Sequence, residues 1–571
     1  MRSIHSSRLS LVIAISVVMA WTGCMGPILR QQSPELTEEE TKAELKLVGN
    51  ATQPYGLSYV KVEAVALVTG LAGTGEDPPP SPQRATVLAE MNRREVENPN
   101  RILASPNTGL VLVRGLLRPG IRAGDHFDLD IRTPTRSSTT SLRGGRLLET
   151  RLTETAVLGD QLRKGHLLGM AKGPILVDPS ADVDEDKVLS RKGRVLGGGV
   201  ALKDRNLGLV LNSEHQSVRL SQTIGKAINK RFFSYMDGQQ RGMSIPKTDE
   251  FIELDVHPRY KDNVGRYMRV VRNIAITESP SQLQERLVLL KNQLMDPVTT
   301  ATAAIRLEAI GDDQAKQALL EGIESDDPEV RFYAAEALAY LDVTEAVDPL
   351  AKVVRDEPAF RVNALAALSA MDDGAAYEAL RSLLSAKSAE TRYGAFRAMT
   401  AMTPNDSLLV GENMKDKFQF HKLDLPGDQM IHVTSSHHPE IVFFGLDHQL
   451  KLPLVLDAGP NILVNGLSGA QIKVSNFGST TQQRVVSTDV EEVIRAIVEL
   501  GGDYPDVVQM LEQAKQNGAL TSRFRINALP EIGRERIKHD DDPESEELEV
   551  EEDSSHNFNV ETPEPELFSR K

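Results

Sequence analysis

The chain has 571 residues, with 65 Lys and Arg against 81 Asp and Glu, and a net charge of −16. At roughly 150 residues per domain, that length predicts three or four structural units. The single Cys excludes a disulfide framework or a zinc site built from several thiolates. One Trp, 5% aromatic residues and the negative charge speak against nucleic acid as a partner, since phosphates want a basic face and bases stack on rings. From Asp540 to Lys571 there are 13 acids and 2 bases, so most of the charge belongs to the tail and the body is nearly balanced.

At the N-terminus, Arg2 and Arg8 precede the apolar run Leu9–Ala20. Such a run is too short for a bilayer-spanning helix, which needs about 20 residues, and it fits the core of a secretory signal. Trp21-Thr22-Gly23-Cys24 follows and resembles a bacterial lipobox, with Trp21 where Leu is usual. The expectation is a signal over 1–23 and acylation of Cys24, a membrane anchor without a spanning helix. An ordinary signal peptide with an incidental Cys is the competing reading. Met25 after the Cys, by resemblance to bacterial lipoproteins, favours the outer membrane. Residues 24–54 read as a tether, with a short helix at Glu35–Leu47.

From about 55 to 278 the pattern is mixed. Leu110–Val113 is an apolar run, and Phe127–Ile131 and Phe251–Val256 alternate with the period of two expected of half-buried strands. Helices are predicted at Arg84–Glu97 and at Ser217–Phe233, where Leu220, Ile224, Ala227, Ile228 and Phe232 share one face. Gly197-Gly198-Gly199 reads as a loop.

Over 282–402 a repeat appears. Asp296-Pro297, Asp327-Pro328 and Glu357-Pro358 recur about every 30 residues, and Arg331, Arg361 and Arg392 keep the same period. Ala334, Ala335 and Leu338 recur as Ala364, Leu365 and Leu368, then as Ala395, Phe396 and Met399. A fixed period with Pro at helix starts and small residues on one face is what stacked helical hairpins need. The stretch resembles four HEAT-like repeats, an all-α solenoid whose concave side offers a protein-binding surface. The arginines are read as structural.

From 408 to 530 strands return at Ile441–Phe444, Leu454–Leu456 and Ile462–Val464. Thr488-Asp489-Val490-Glu491 reads as a capping box with Thr488 at the cap. It opens a helix that Gly501-Gly502 stops, and Pro505 begins a second helix. A last strand is predicted at Ser522–Ile526. Residues 537–571, acidic and poor in apolar side chains, are expected to be disordered.

Several segments together resemble the flagellar P-ring protein family. Val68-Thr69-Gly70-Leu71-Ala72-Gly73-Thr74-Gly75 is similar to its Gly-rich segment. Leu117–Leu129, with Pro119, Gly120 and Asp128, is similar to its Pro-Gly-x-Arg-x-Asp strand opening, with two extra residues before the second Asp. Ser141-Leu142-Arg143-Gly144-Gly145-Arg146-Leu147-Leu148 is similar to its Ser-Leu-x-Gly-Gly-x-Leu-Leu, and Leu220–Phe233 to the helix that closes its first part. Val490–Ile526 is similar to its C-terminal pair of helices. The resemblance implies an α+β fold over 55–278 and 408–530, interrupted by the array, with Gly70, Gly73, Gly75, Pro119, Gly120, Asp128, Gly144 and Gly145 as structural positions. It also implies a periplasmic, non-enzymatic subunit that assembles with itself around the flagellar rod and beside the L ring, without cofactor. The lipobox, the array and the acidic tail depart from that family, the lipid anchor being more characteristic of L-ring subunits. They keep open a lipid-anchored scaffold that binds partners through the repeats.

Reactive constellations are sparse. No Gly-Lys-Ser/Thr follows Gly70–Gly75, and prolines stand where a phosphate cradle needs a helix start. His432, His437, His438 and Glu440 have no helical metal-ligand spacing and read as a polar loop beside a strand. The lone Cys and the serines near histidines lack a nucleophile's setting.

Overall fold

A computed structural model of the chain describes residues 46–532 and 561–569, apart from 159–160, 182–185, 237, 468 and 479–480. The signal-like segment, Cys24, residues 24–45 of the tether with most of the helix predicted at Glu35–Leu47, and the acidic stretch 533–560 lie outside the described residues. Among those described, no helix is long and apolar enough to cross a membrane.

Helix α1 (Val48–Ala51) and strand β1 (Thr52–Tyr55) lead into β2 (Val60–Thr69). Helices α2 (Pro82–Arg93) and α3 (Pro99–Leu103) precede β3 (Thr108–Leu117), β4 (His126–Arg132), β5 (Arg146–Leu158), β6 (Gln161–Pro174) and β7 (Lys192–Ala201). Strands β2 to β7 close into a barrel in the order β2-β3-β4-β7-β6-β5, every pair antiparallel. Period-two alternation builds its core: Val62, Ala66, Val68, Val111, Val113, Phe127, Leu129 and Ile131 are buried in one cluster. The opposite-facing Leu67 and Leu110 are covered instead by Val87 of α2 and Leu103 of α3.

The Gly197–Gly199 stretch corrects the sequence reading, because it lies inside β7. The Phe127 ring fills the barrel only because neighbouring strands present glycine. A Cβ on Gly115 or Gly199 would sit 2.5 Å from that ring, and one on Gly198 would sit 2.2 Å from Val195 Cγ1. Gly197 takes φ +57° where the register with β4 shifts between Phe127 and Leu129. Close strand approach requires these glycines.

The first part continues with β8 (Leu207–Leu211), α4 (Val218–Arg231), β9 (Phe233–Met236), β10 (Gln239–Gly242), β11 (Ser244–Pro246), β12 (Phe251–Leu254) and α5 (Val264–Arg272). Strands β1-β8-β12-β11 form an antiparallel sheet. Ser217 caps α4 by accepting from the Leu220 N–H, and Ile224 and Ile228 join Leu209 and Ile252 in the core.

Four helical hairpins follow: α6 (Pro280–Leu294) with α7 (Thr300–Ile310), α8 (Asp313–Ile323) with α9 (Pro328–Tyr340), α10 (Val347–Asp356) with α11 (Arg361–Ser369), and α12 (Gly374–Leu383) with α13 (Ala389–Met402). Asp327 caps α9 with Pro328 in its first turn, as the repeat predicts. Pro297 and Pro358 instead precede their helices, Pro358 in a short 3-10 turn. Arg331, Arg361 and Arg392 donate to the carbonyls of Ser325 and Asp326, Val354, and Leu384, tying off the end of the helix before each. Arg361 also reaches Glu390 of the next repeat at 3.3 Å.

The second part holds β13 (Glu412–Asn413), β14 (Gln419–Leu423), β15 (Met430–Val433), β16 (Glu440–Phe444), β17 (Leu454–Ala458), β18 (Ile462–Gly466), β19 (Ile472–Asn476), β20 (Gln482–Val486), α14 (Val490–Glu499), α15 (Tyr504–Gln516) and β21 (Arg523–Ile526). They form a mixed sheet β13-β14-β16-β15-β21 and an antiparallel meander β17-β18-β19-β20. The cap of α14 is Asp489, which accepts from the Glu491 N–H at 2.7 Å, and not Thr488. Thr488 is held by its neighbours instead, its hydroxyl donating to Gln449 and its carbonyl accepting from Leu450.

The parts share cores. One apolar cluster runs from Leu209 and Val270 through the array to Leu423, Met430 and Phe444, and a second joins Leu176 and Leu196 of the barrel region to β14–β21. The array does not offer an open concave face. Every residue of α9 from Phe332 to Tyr340, and of α11 from Arg361 to Leu368, is buried, the mark of helices covered on all sides.

Gly199→Val should lower stability by about 1–3 kcal/mol in urea unfolding, because the barrel has no room for the side chain beside Phe127. Pairing it with Phe127→Leu should recover part of the loss, with a coupling of at least about 0.5 kcal/mol. Strict additivity would mean that ring and glycine do not share the space.

Candidate functional site

The residues singled out by sequence gather at the barrel's rims and flank. Thr69 pairs with Thr108 and Arg146, so Gly70–Gly75 and Gly144–Gly145 lie at one end of the barrel. Gly70 and Gly144 both take positive φ, +81° and +74°, and a Cβ on Gly144 would strike Pro460 of the second part at 2.9 Å. Gly145 sits against Val68. Gly73 turns the chain, and a Cβ on Gly75 would lie 2.0 Å from the Thr108 carbonyl oxygen. The N–H groups of Leu71, Gly73 and Gly75 are spent on Asn107, Leu71 and Pro106, which makes this a turn and no anion cradle. Pro119 and Gly120 stand at the far end of β3, beside Val256 and Val264.

Asp128 leaves the flank of β4 and joins the first and second parts. Its carboxylate accepts from the Gly197 N–H at 2.8 Å and from the His437 N–H at 2.7 Å, 309 residues away. Burial pushes its carboxyl up, against the pull of these two donors and Arg194. At the rim, Arg146 pairs with Asp503 at 2.9 Å, and Lys417 donates to the carbonyls of Gly501 and Gly502.

A seam that sequence reasoning missed joins the first part to the array. Arg266 of α5 is fully buried. Its Nη2 donates to Glu308 Oε2 of α7 at 2.6 Å, and its Nη1 lies 2.6 Å from Glu336 Oε2 of α9 as an ion pair without an aligned hydrogen bond. Tyr260 donates to Glu308 Oε1 at 2.6 Å and stacks on Tyr340, whose ring lies under the guanidinium at 4.5 Å. Burial works against the Arg266 charge, yet the two carboxylates hold its pKa above the usual value. One cation serves two acids, and burial pushes Glu336 up to about 7 in spite of Arg266. The only signal in the sequence was a glutamate inside each of two Ala-rich helical runs.

The array meets the second part at Glu440. Tyr393 of α13 donates to Oε1 and His438 Nε2 lies 2.8 Å from Oε2, while His432 stacks on the Tyr393 ring at 3.6 Å. Burial opposes the Glu440 charge, but His438, Arg397 and His421 hold its carboxyl well below the ordinary range. Burial lowers His432 to about 3, so it is neutral and accepts from the Ala528 N–H. These histidines are spent on packing and hydrogen bonds, and among the described residues no group of three or more His, Cys, Asp or Glu is placed to hold a metal. A cavity of about 550 Å³ lies between His257–Asn263 and the array. Three of its polar lining residues are engaged: Arg259 with Asp342, Lys261 with the Ala401 carbonyl, and Asp373 with Thr344.

Compared with known families, residues 51–293 match the flagellar P-ring protein and residues 287–369 match HEAT repeats. The first match runs into α6, and the similar segments at 408–530 lie beyond it. A search of curated proteins finds no match.

Arg266→Met should cost about 3–5 kcal/mol, because it strands two buried carboxylates. Chemical denaturation reads this, and a loss below about 1 kcal/mol would show that water reaches the triad. Because the Glu336 pKa is raised on folding, the folded chain binds the extra proton, and this group's contribution to stability falls as pH rises from about 4.5 to about 7. Glu336→Gln should lack that decline, so its melting temperature relative to the parent should climb across the same window.

Proposed function

We propose that this chain is a structural subunit of the flagellar basal-body P ring, assembling with further copies of itself in the periplasm around the rod, next to the L ring, in the service of motility. The match of residues 51–293 to the P-ring family supports a structural role in that ring. The observation that carries the finer reading is the rigid union at the barrel. Asp128 and Gly144, both family-like positions, abut His437 and Pro460 of a second part whose helices also resemble the family.

A closed ring needs two different, complementary patches on each subunit. Exposed apolar side chains of the described residues occur on both parts, with Tyr55 and Val210 on the β1–β8 pair and Val455, Phe477 and Val485 on the meander and its end. Rigidity is the chemistry a bushing requires, with no bound substrate or cofactor. The alternative scaffold reading needs a free concave face on the array, and α9 and α11 are buried all round.

Purified basal bodies should contain this chain in many copies, in the range of the other ring subunits, by quantitative mass spectrometry. Recovery only as a freely diffusing monomer from flagellated cells would overturn the assignment. Acylation of Cys24 adds a membrane anchor at about 0.8 kcal/mol per buried CH₂. Cys24→Ser should therefore move the chain from the membrane to the soluble fraction when the basal body is dissociated, and unchanged partitioning would remove lipidation from the picture.

A further inference from the structure

The end of the acidic tail departs from the expected disorder. Residues 561–569 pack across the junction of the first part and the array, with Leu567 and Phe568 buried in the same apolar cluster as the repeats. The segment takes part in no sheet. Side chains from four different helices hold it, as a bound peptide is held. Tyr333 of α9 accepts from the Glu561 N–H at 3.0 Å, and Arg269 of α5 donates to the Glu561 carbonyl. Asn363 of α11 donates to the Thr562 hydroxyl, and Arg397 of α13 donates to the Leu567 carbonyl at 3.1 Å. Pro563 lies against Gly265, where a Cβ would be 2.8 Å away.

Glu566 gives the segment its register. Its carboxylate accepts from the Val264 N–H at 3.0 Å, while Asn263 accepts from the Arg266 N–H, so two of the unpaired donors at the start of α5 are satisfied from two different parts of the chain. A negative charge at a helix start is favoured by the helix dipole. The peptide is also stiff before it docks. Prolines 563 and 565 flank Glu564, and Pro565 sits at φ −64°, ψ 135°, the extended conformation that proline already prefers. Less freedom is therefore lost on docking, and the short turn Glu566–Phe568 delivers both apolar anchors.

We propose that the groove formed by α5, α9, α11 and α13 is a peptide-binding site whose ligand is the chain's own segment 561–569, an acidic, proline-stiffened stretch anchored by Glu566, Leu567 and Phe568. Docked in the same copy, it acts as a separable clasp across the first part and the array.

The test uses the full chain with its own segment disabled, Leu567→Ala/Phe568→Ala, and a fluorescent peptide of residues 561–571. The peptide should bind the variant saturably by anisotropy, and the parent chain, whose groove is filled, at least tenfold more weakly. Hydrogen exchange over the start of α5 should quicken at least tenfold in the variant and slow again when peptide is added. No binding to the variant, or equal binding to variant and parent, overturns the assignment. Should the double variant fail to fold, Glu566→Ala removes only the cap, and unchanged exchange at the Val264 region would reject the site. Segment-dependent dimers, seen when the parent chain is sized alone, would place the ligand in a second copy and refute docking within one.

Discussion

A single guanidinium fixes how this chain is put together. Arg266 projects from the last helix of the first part into the array and is shared by carboxylates from two successive repeats. Desolvating three charged groups costs more than an equivalent apolar cluster, so the triad is a poor source of net stability. Its value lies in geometry. The arrangement is tolerable only when α5, α7 and α9 converge with both acids on the cation, and any slip of the array by one residue leaves a charge buried alone. Burial above all, with the neighbouring Glu308 adding to it, raises the Glu336 carboxyl against the pull of Arg266.

The other junctions complete this arrangement with different chemistry. Around Glu440 the link is a buried carboxylate saturated by a tyrosine and a histidine. At the barrel it is Asp128 on two backbone amides, with Arg146 and Asp503 more exposed and correspondingly weak. Because the array is bonded to both flanking parts, and those parts to each other, the repeats are an internal wedge. Stacked repeats usually expose one long face. Here that face is filled by α5 and by the chain's own end, which is why α9 and α11 can be so rich in small residues and still lie fully buried.

Local patterns were readable wherever the physics is local. The alternation at Phe127–Ile131, the single apolar face of Ser217–Phe233 and the 30-residue period each specify an element from neighbouring residues alone. The barrel was not readable, since closure depends on β2 meeting β5 across about 80 residues and on glycines that look like loop residues until a phenylalanine ring is placed beside them. The cap of α14 shifted by one because Asp489 and Thr488 are both competent and the tie to Gln449 decided between them. Only at residues 561–569 did composition mislead, where overall acidity hid the adjacent Leu567 and Phe568. Of the candidate positions, the glycines and Asp128 were found from resemblance. The Arg266 triad and the Tyr393–Glu440 pair were not: Arg266, Glu308 and Glu336 are lone charges in helices, and Glu440, noted with its histidines, gave no sign of Tyr393.

The distances along the chain between bonded partners have a consequence for how the molecule is made. Asp128 waits for His437, Arg146 for Asp503 and Val264 for Glu566, separations of 309, 357 and 302 residues. Contacts of such range form late, after nearby hairpins and helical pairs. The barrel and the repeats can therefore form early, while the matching surfaces stay open until His437, Asp503 and Glu566 reach them. In that interval apolar helix faces and unpaired strand edges are bare, so the chain is most prone to clumping before those distant partners dock.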